Sequence, residues 1–139
     1  MRPLLQFAGF CFIVFFIVGE LQGWYVGMPP SSPMYLYKMD KTVNVVRDVK
    51  YVDELEFGMH GKASRGTVIV EVFFEIPPSF QSGTTGTTPK RIFSQEFFAG
   101  ERIDISEFLK KGKGRYTVRL TYTDVTGTFR MELPKERDL

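Results

Sequence analysis

The chain has 139 residues, of which 43% are apolar and 24% charged, and its 18 Lys and Arg against 16 Asp and Glu leave a formal charge of +2. Such proportions belong to ordinary globular domains and exclude disordered, collagen-like and coiled-coil classes. Basic residues are interleaved with acids, as in Lys90, Arg91, Glu96, Glu101, Arg102 and Asp104, so no basic field for nucleic acid follows.

The N-terminal stretch Leu4 to Val18 reads LLQFAGFCFIVFFIV, apolar apart from Gln6, with Arg2 ahead of it and Glu20 behind. The next basic residue is Lys38, which predicts a cytoplasmic N-terminus and an exported remainder. As a retained transmembrane anchor the run is shorter than the roughly 20 residues that span a bilayer, but it can continue through Leu21, Gly23, Trp24, Tyr25 and Val26. Residues 4–26 would then contact lipid, with Trp24 and Tyr25 as an interfacial aromatic belt. As a signal peptide its apolar length fits, yet cleavage after Gly19 or Gly23 would leave Ile17 or Leu21 at the minus-three position, where a small residue is wanted. That mismatch favours a single-pass anchor over a secreted or periplasmic chain released by cleavage, and both readings place the remainder on the periplasmic or extracellular side. Cys11 is the only cysteine, so no internal disulfide or cysteine-held zinc supports the fold.

Residues 27–41 contain Pro29, Pro30 and Pro33, which deny the chain a helix and predict a semi-rigid spacer between the segment 1–26 and the domain. After it the period becomes two. Strands are expected over Val43 to Val49, Tyr51 to Met59, 65–76, Ile92 to Phe98, Arg102 to Ile105, 114–124 and 128–134. In the third, Val68, Val70, Val72, Phe74 and Ile76 share one face; in the sixth, Tyr116, Val118, Leu120 and Tyr122 do. Asp124-Val125-Thr126-Gly127 reads as the loop of a β-hairpin. About seven short strands with turn signals between them predict an all-β sandwich over 42–134, followed by a charged tail, 135–139.

The segment FFAGERIDISEFLKKGKGRYTVRLTYTD, residues 97–124, resembles the second half of an immunoglobulin-like or fibronectin-type-III-like domain: a strand, a short helical turn at Ser106 to Leu109, a Gly-rich turn, then G-x-Y-x-V-x-L. The resemblance implies an immunoglobulin-like β-sandwich in which Tyr116 bonds back to the preceding turn as a tyrosine corner. It implies nothing about activity. The cysteine pair and core tryptophan of antibody domains have no counterpart here, so antigen-type recognition is not carried over.

Between the third and fourth strands, residues 77–89 form a long Gly, Thr and Pro-rich loop with Phe80 at its base as the residue expected to dock. No phosphate loop, paired-His motif or nucleophile constellation is present, so no catalytic residue and no cofactor is expected. One metal reading exists: Met59 beside His60, with Met28, Met34, Met39 and Met131 elsewhere, offers soft ligands suited to Cu(I). The plainer reading makes Met59 and Met131 core filler. The aromatic stretch GWYVGMPPSSPMYLY, with Trp24, Tyr25, Tyr35, Leu36 and Tyr37, is the best candidate for a protein partner, because exposed aromatics beside a membrane need a surface to cover them. The expected function is therefore a non-enzymatic, membrane-anchored accessory or assembly subunit of a membrane or envelope complex, with a cleaved soluble binding protein as the alternative.

Overall fold

Alternating side chains organise almost everything after residue 34 into one antiparallel sheet. The structure, a computed structural model, describes residues 3–11, 13, 24–26, 34–80, 86–135 and 138–139. Residues 3–11 and 13 are helical. Six strands follow among the described residues: β1 (Trp24–Val26), β2 (Met34–Val49), β3 (Leu55–Glu75), β4 (Lys90–Phe98), β5 (Arg102–Leu109) and β6 (Gly114–Glu132). Their order is β1-β2-β6-β3-β4, and β5 pairs with β3 alone. Among the described residues no helix is long and apolar enough to cross a membrane. The remainder of the apolar run, the two cleavage candidates, the prolines of the spacer, residues 81–85 of the long loop and residues 136–137 of the tail lie outside the described residues.

The strands are fewer and longer than the spacing of turn signals predicts. Gly66 does not end a strand: it takes a φ of +86° inside β3, which runs for 21 residues. Asp124 to Gly127 do not form a hairpin loop either, because β6 runs unbroken for 19 residues with Asp124 at a φ of +51°. Both sites are bulges, where one extra residue bends a strand while pairing continues on either side. In β2 the same event occurs near Lys38, whose φ is +48°. The register of β2 on β6 shifts between Leu36 and Met39 and again before Lys41, and that of β3 on β6 shifts on both sides of Arg65.

These irregularities fall on one line across three adjacent strands and crease the sheet. Each flips the parity of the inward face. In β3 the buried set changes from Leu55, Phe57, Met59 and Ala63 to Val68, Val70 and Val72; in β6 it changes from Tyr116, Val118, Leu120 and Tyr122 to Val125, Phe129 and Met131. The crease turns one half of the sheet over the other, so that Phe57, before it, packs edge to face on Phe93, opposite Val72 and beyond it, with ring centroids 6.3 Å apart. All of these inward residues belong to a single core. Each fully buried aliphatic or aromatic side chain there contributes roughly 1.5–3 kcal/mol.

Two local expectations are also corrected. Ser106 to Leu109 are not a helical turn but the second half of β5, paired with Gly58 to Leu55, because Ile105 and Leu109 keep the inward parity. Met34 to Asp40, read as spacer, belong to β2, where Met34, Leu36 and Met39 enter the core. The tie implied at Tyr116 is present: its buried hydroxyl donates to the carbonyls of Gly112 at 2.7 Å and Leu109 at 3.3 Å.

Candidate functional site

The aromatic stretch expected to meet a partner folds into an edge of the sheet. Trp24, Tyr25 and Val26 of β1 pair with Tyr37, Leu36 and Tyr35 of β2. The helix expected to continue through Val26 therefore does not reach it. Alternation separates the candidates. Leu36 points inward at 7% exposure and is unavailable to a partner, whereas Tyr25 at 40% and Tyr35 at 46% are open to solvent. Lys41 lies over the Tyr25 ring at 4.7 Å and Lys38 over the half-buried Tyr37 ring at 5.6 Å. Cations stacked on ring faces stiffen these side chains. Among the described residues β1 has no neighbour on its outer side, so its backbone groups there can accept an added strand.

Met59 and His60, the proposed copper ligands, are adjacent in β3 and so face opposite sides of the sheet: Met59 is fully buried and His60 half-exposed. They cannot share an ion. No group of three or more His, Cys, Asp or Glu side chains among the described residues is placed to hold a metal.

What the register does assemble around His60 was not evident from sequence, because its partners come from 44 and 72 positions away along the chain. On the outer face β5, β3 and β6 lie side by side, so His60 stands opposite Asp104 and Arg130, and Gly58 opposite Ser106 and Glu132. His60 Nδ1 is 2.8 Å from Asp104 Oδ1, and Nε2 is 4.0 Å from Glu132 Oε2. The Asp104 bond orients the imidazole with Nε2 toward Glu132. Over Gly58, which has no side chain to fill it, runs an open groove of about 360 Å³ lined in part by Glu56, Ser106, Glu132 and Pro134. His60, Asp104 and Glu132 are 38%, 65% and 63% exposed. In such open solvent the pairings are worth at most about 1 kcal/mol, and among the described residues no hydroxyl is hydrogen-bonded to the imidazole. The cluster is a polar tie across three strands, β5, β3 and β6.

Phe80, expected to dock at the base of the long loop, ends a short 3₁₀ turn, Pro78–Phe80. It is half-buried, with Lys50 over its ring at 5.8 Å. Ile76 anchors the loop by donating its N–H to Thr87 Oγ1 at 2.7 Å and accepting from the Thr87 N–H at 3.0 Å.

No protein-family model matches the chain, and no curated protein is significantly similar to it.

Proposed function

We propose that the chain is a non-catalytic binding module, an immunoglobulin-like β-sandwich held at the non-cytoplasmic face of a membrane by the apolar run Leu4 to Val18, with Trp24 to Val26 given to the sheet, and serving as an accessory or assembly subunit of a larger membrane or envelope complex. The observation that carries the reading is the β1–β2 pairing, where Tyr25 and Tyr35 stand exposed beside a strand edge with no neighbour among the described residues. Exposed aromatics at an open edge are the means by which sheets recruit partner strands.

The N-terminal helix supports the membrane half of the reading. Leu4, Leu5, Phe7, Phe10 and Ile13 are each between 57% and 78% exposed, and a helix that is apolar all round has no face suited to water. Tyr116 supports the immunoglobulin-like half, since its hydroxyl ties the start of β6 to the preceding turn. A second reading, a soluble binder released by cleavage, draws on the core, which among the described residues begins at Met34, while residues 3–11 and 13 are exposed.

The test is an intact mass of the native full chain extracted gently in detergent together with its companions. A full-length mass in the membrane fraction with stoichiometric partners, lost on Tyr25→Asp with Tyr35→Asp, is expected. A shortened mass in the soluble fraction, alone, would sink the anchored subunit and favour the free binder.

A further inference from the structure

Three segments leave the sheet side by side at the end opposite the β1–β2 hairpin. Val49 pairs with Gly114 and Glu75 with Arg115, so Lys50 and Lys113 are the next residues beyond one cross-strand pair, and Ile76 lies beyond the other. Together with Ser79 and Phe80 these side chains line a concavity of about 420 Å³. Its floor is apolar: Ile76 and Phe80 are half-buried. Its rim is basic. Neither Lys50 nor Lys113 has a carboxylate in ion-pair reach among the described residues, whose ion pairs lie elsewhere. Asp48, two residues before Lys50, is paired with Arg115, and Asp53 and Glu54 line a separate groove that also holds Lys110 and Lys111.

The Leu139 carboxylate is taken up by the backbone N–H groups of Lys50 and Tyr51, and two ammonium groups outside any ion pair among the described residues, that of Lys50 over the Phe80 ring, select one chemistry. We infer that this cavity binds a small amphipathic anion, its carboxylate or phosphate between Lys50 and Lys113 and its apolar body on Phe80 and Ile76. The volume falls within the range of small-molecule sites, roughly 300–1,000 Å³. An ammonium is a compact point charge that suits either anion. The Ser79 hydroxyl at the rim supplies a donor for a further oxygen. This site is independent of the partner edge at β1 and stands or falls separately from it.

The experiment is a titration of the full chain, in non-ionic detergent, with 1-naphthoate, followed through the backbone amide resonances. Saturable shifts confined to Lys50, Ser79, Phe80 and Lys113 are expected, with affinity at least tenfold weaker in Lys50→Gln with Lys113→Gln and unchanged in Lys135→Gln. Both lysines are exposed, so an otherwise unaltered amide spectrum verifies that the double variant is folded. The neutral isostere 1-naphthalenemethanol should bind at least tenfold more weakly. Inorganic phosphate, the source without an apolar body, should also be at least tenfold weaker. Shifts that do not saturate, that centre on residues 3–13, or that are matched by the alcohol or by phosphate alone would overturn the inference.

Discussion

The backbone N–H of Asp124 donates to the Asp40 carboxylate at 2.8 Å, across the line on which β2, β6 and β3 all bend. Asp124 in turn accepts from Arg65 Nε at 2.7 Å, so one residue at positive φ is held from both neighbouring strands. Lys38 is secured alike, its N–H donating to Thr126 Oγ1 at 3.1 Å. A bulge removes ladder bonds, and these side chains restore partners for the freed backbone groups.

Gly66 sits on the same line, and a Cβ there would meet the Asp124 and Thr123 carbonyl oxygens. Gly100 has nearly the same φ, +89°, with nothing within 4 Å of a Cβ. Gly100→Ala should therefore cost only the left-handed penalty of about 1–2 kcal/mol, whereas Gly66→Ala adds a clash with backbone and should exceed about 3 kcal/mol. Urea unfolding of the two variants gives the comparison; equal losses would show that the crease tolerates a side chain.

The same substitution should act in opposite directions at two core tyrosines. Tyr116 donates to Gly112 and Leu109, and Tyr116→Phe strips a partner from those carbonyls, destabilising the fold by about 1–2 kcal/mol. The Tyr122 hydroxyl is buried without a hydrogen-bond partner among the described residues, so Tyr122→Phe should be neutral or stabilising by up to about 1 kcal/mol. Denaturant midpoints decide it, and a marked loss in Tyr122→Phe would mean that the hydroxyl is satisfied in solution.

Burial raises both hydroxyl pKa values above the ordinary 10.0, that of Tyr122 the further of the two. The unfolded chain releases these protons first, so stability is fully present below pH 10 and falls as pH climbs from the unfolded value toward the folded ones. Alkaline titration read at 295 nm should show Tyr122 ionising only as the far-ultraviolet sheet signal is lost. In Tyr122→Phe the alkaline midpoint should rise. Ionisation of all six tyrosines near pH 10 in a folded chain would contradict this.

Met59 and His60 face opposite sides of β3, so neither contributes to the other's chemistry. His60→Ala should leave any Cu(I) affinity of the chain unchanged and shift stability by less than about 1 kcal/mol. Met59→Ala, by opening a cavity in a fully packed core, should cost about 2–5 kcal/mol. Competition for Cu(I) and thermal unfolding separate the two; a His60-dependent copper site would reverse the first expectation.

The sequence by itself determined much of the core beyond residue 65. Val68, Val70 and Val72, then Tyr116, Val118, Leu120 and Tyr122, and Phe129 with Met131 are buried as period-two alternation requires, because that periodicity is a property of the strand alone. It also marked Tyr116 as a tie to its turn, and Tyr25 and Tyr35 as surface aromatics. Only the tertiary structure decided where strands end. Gly66 and the Asp124 to Gly127 stretch carry the local signals of turns, yet pairing on both flanks makes bulges of them, since breaking a central strand would leave its neighbours without partners. Tertiary register alone also placed Leu36 inward, brought Asp104 and Glu132 to His60, and set Lys50 beside Lys113 above Phe80. Contacts between residues far apart in sequence depend on strand order, and no local pattern encodes it.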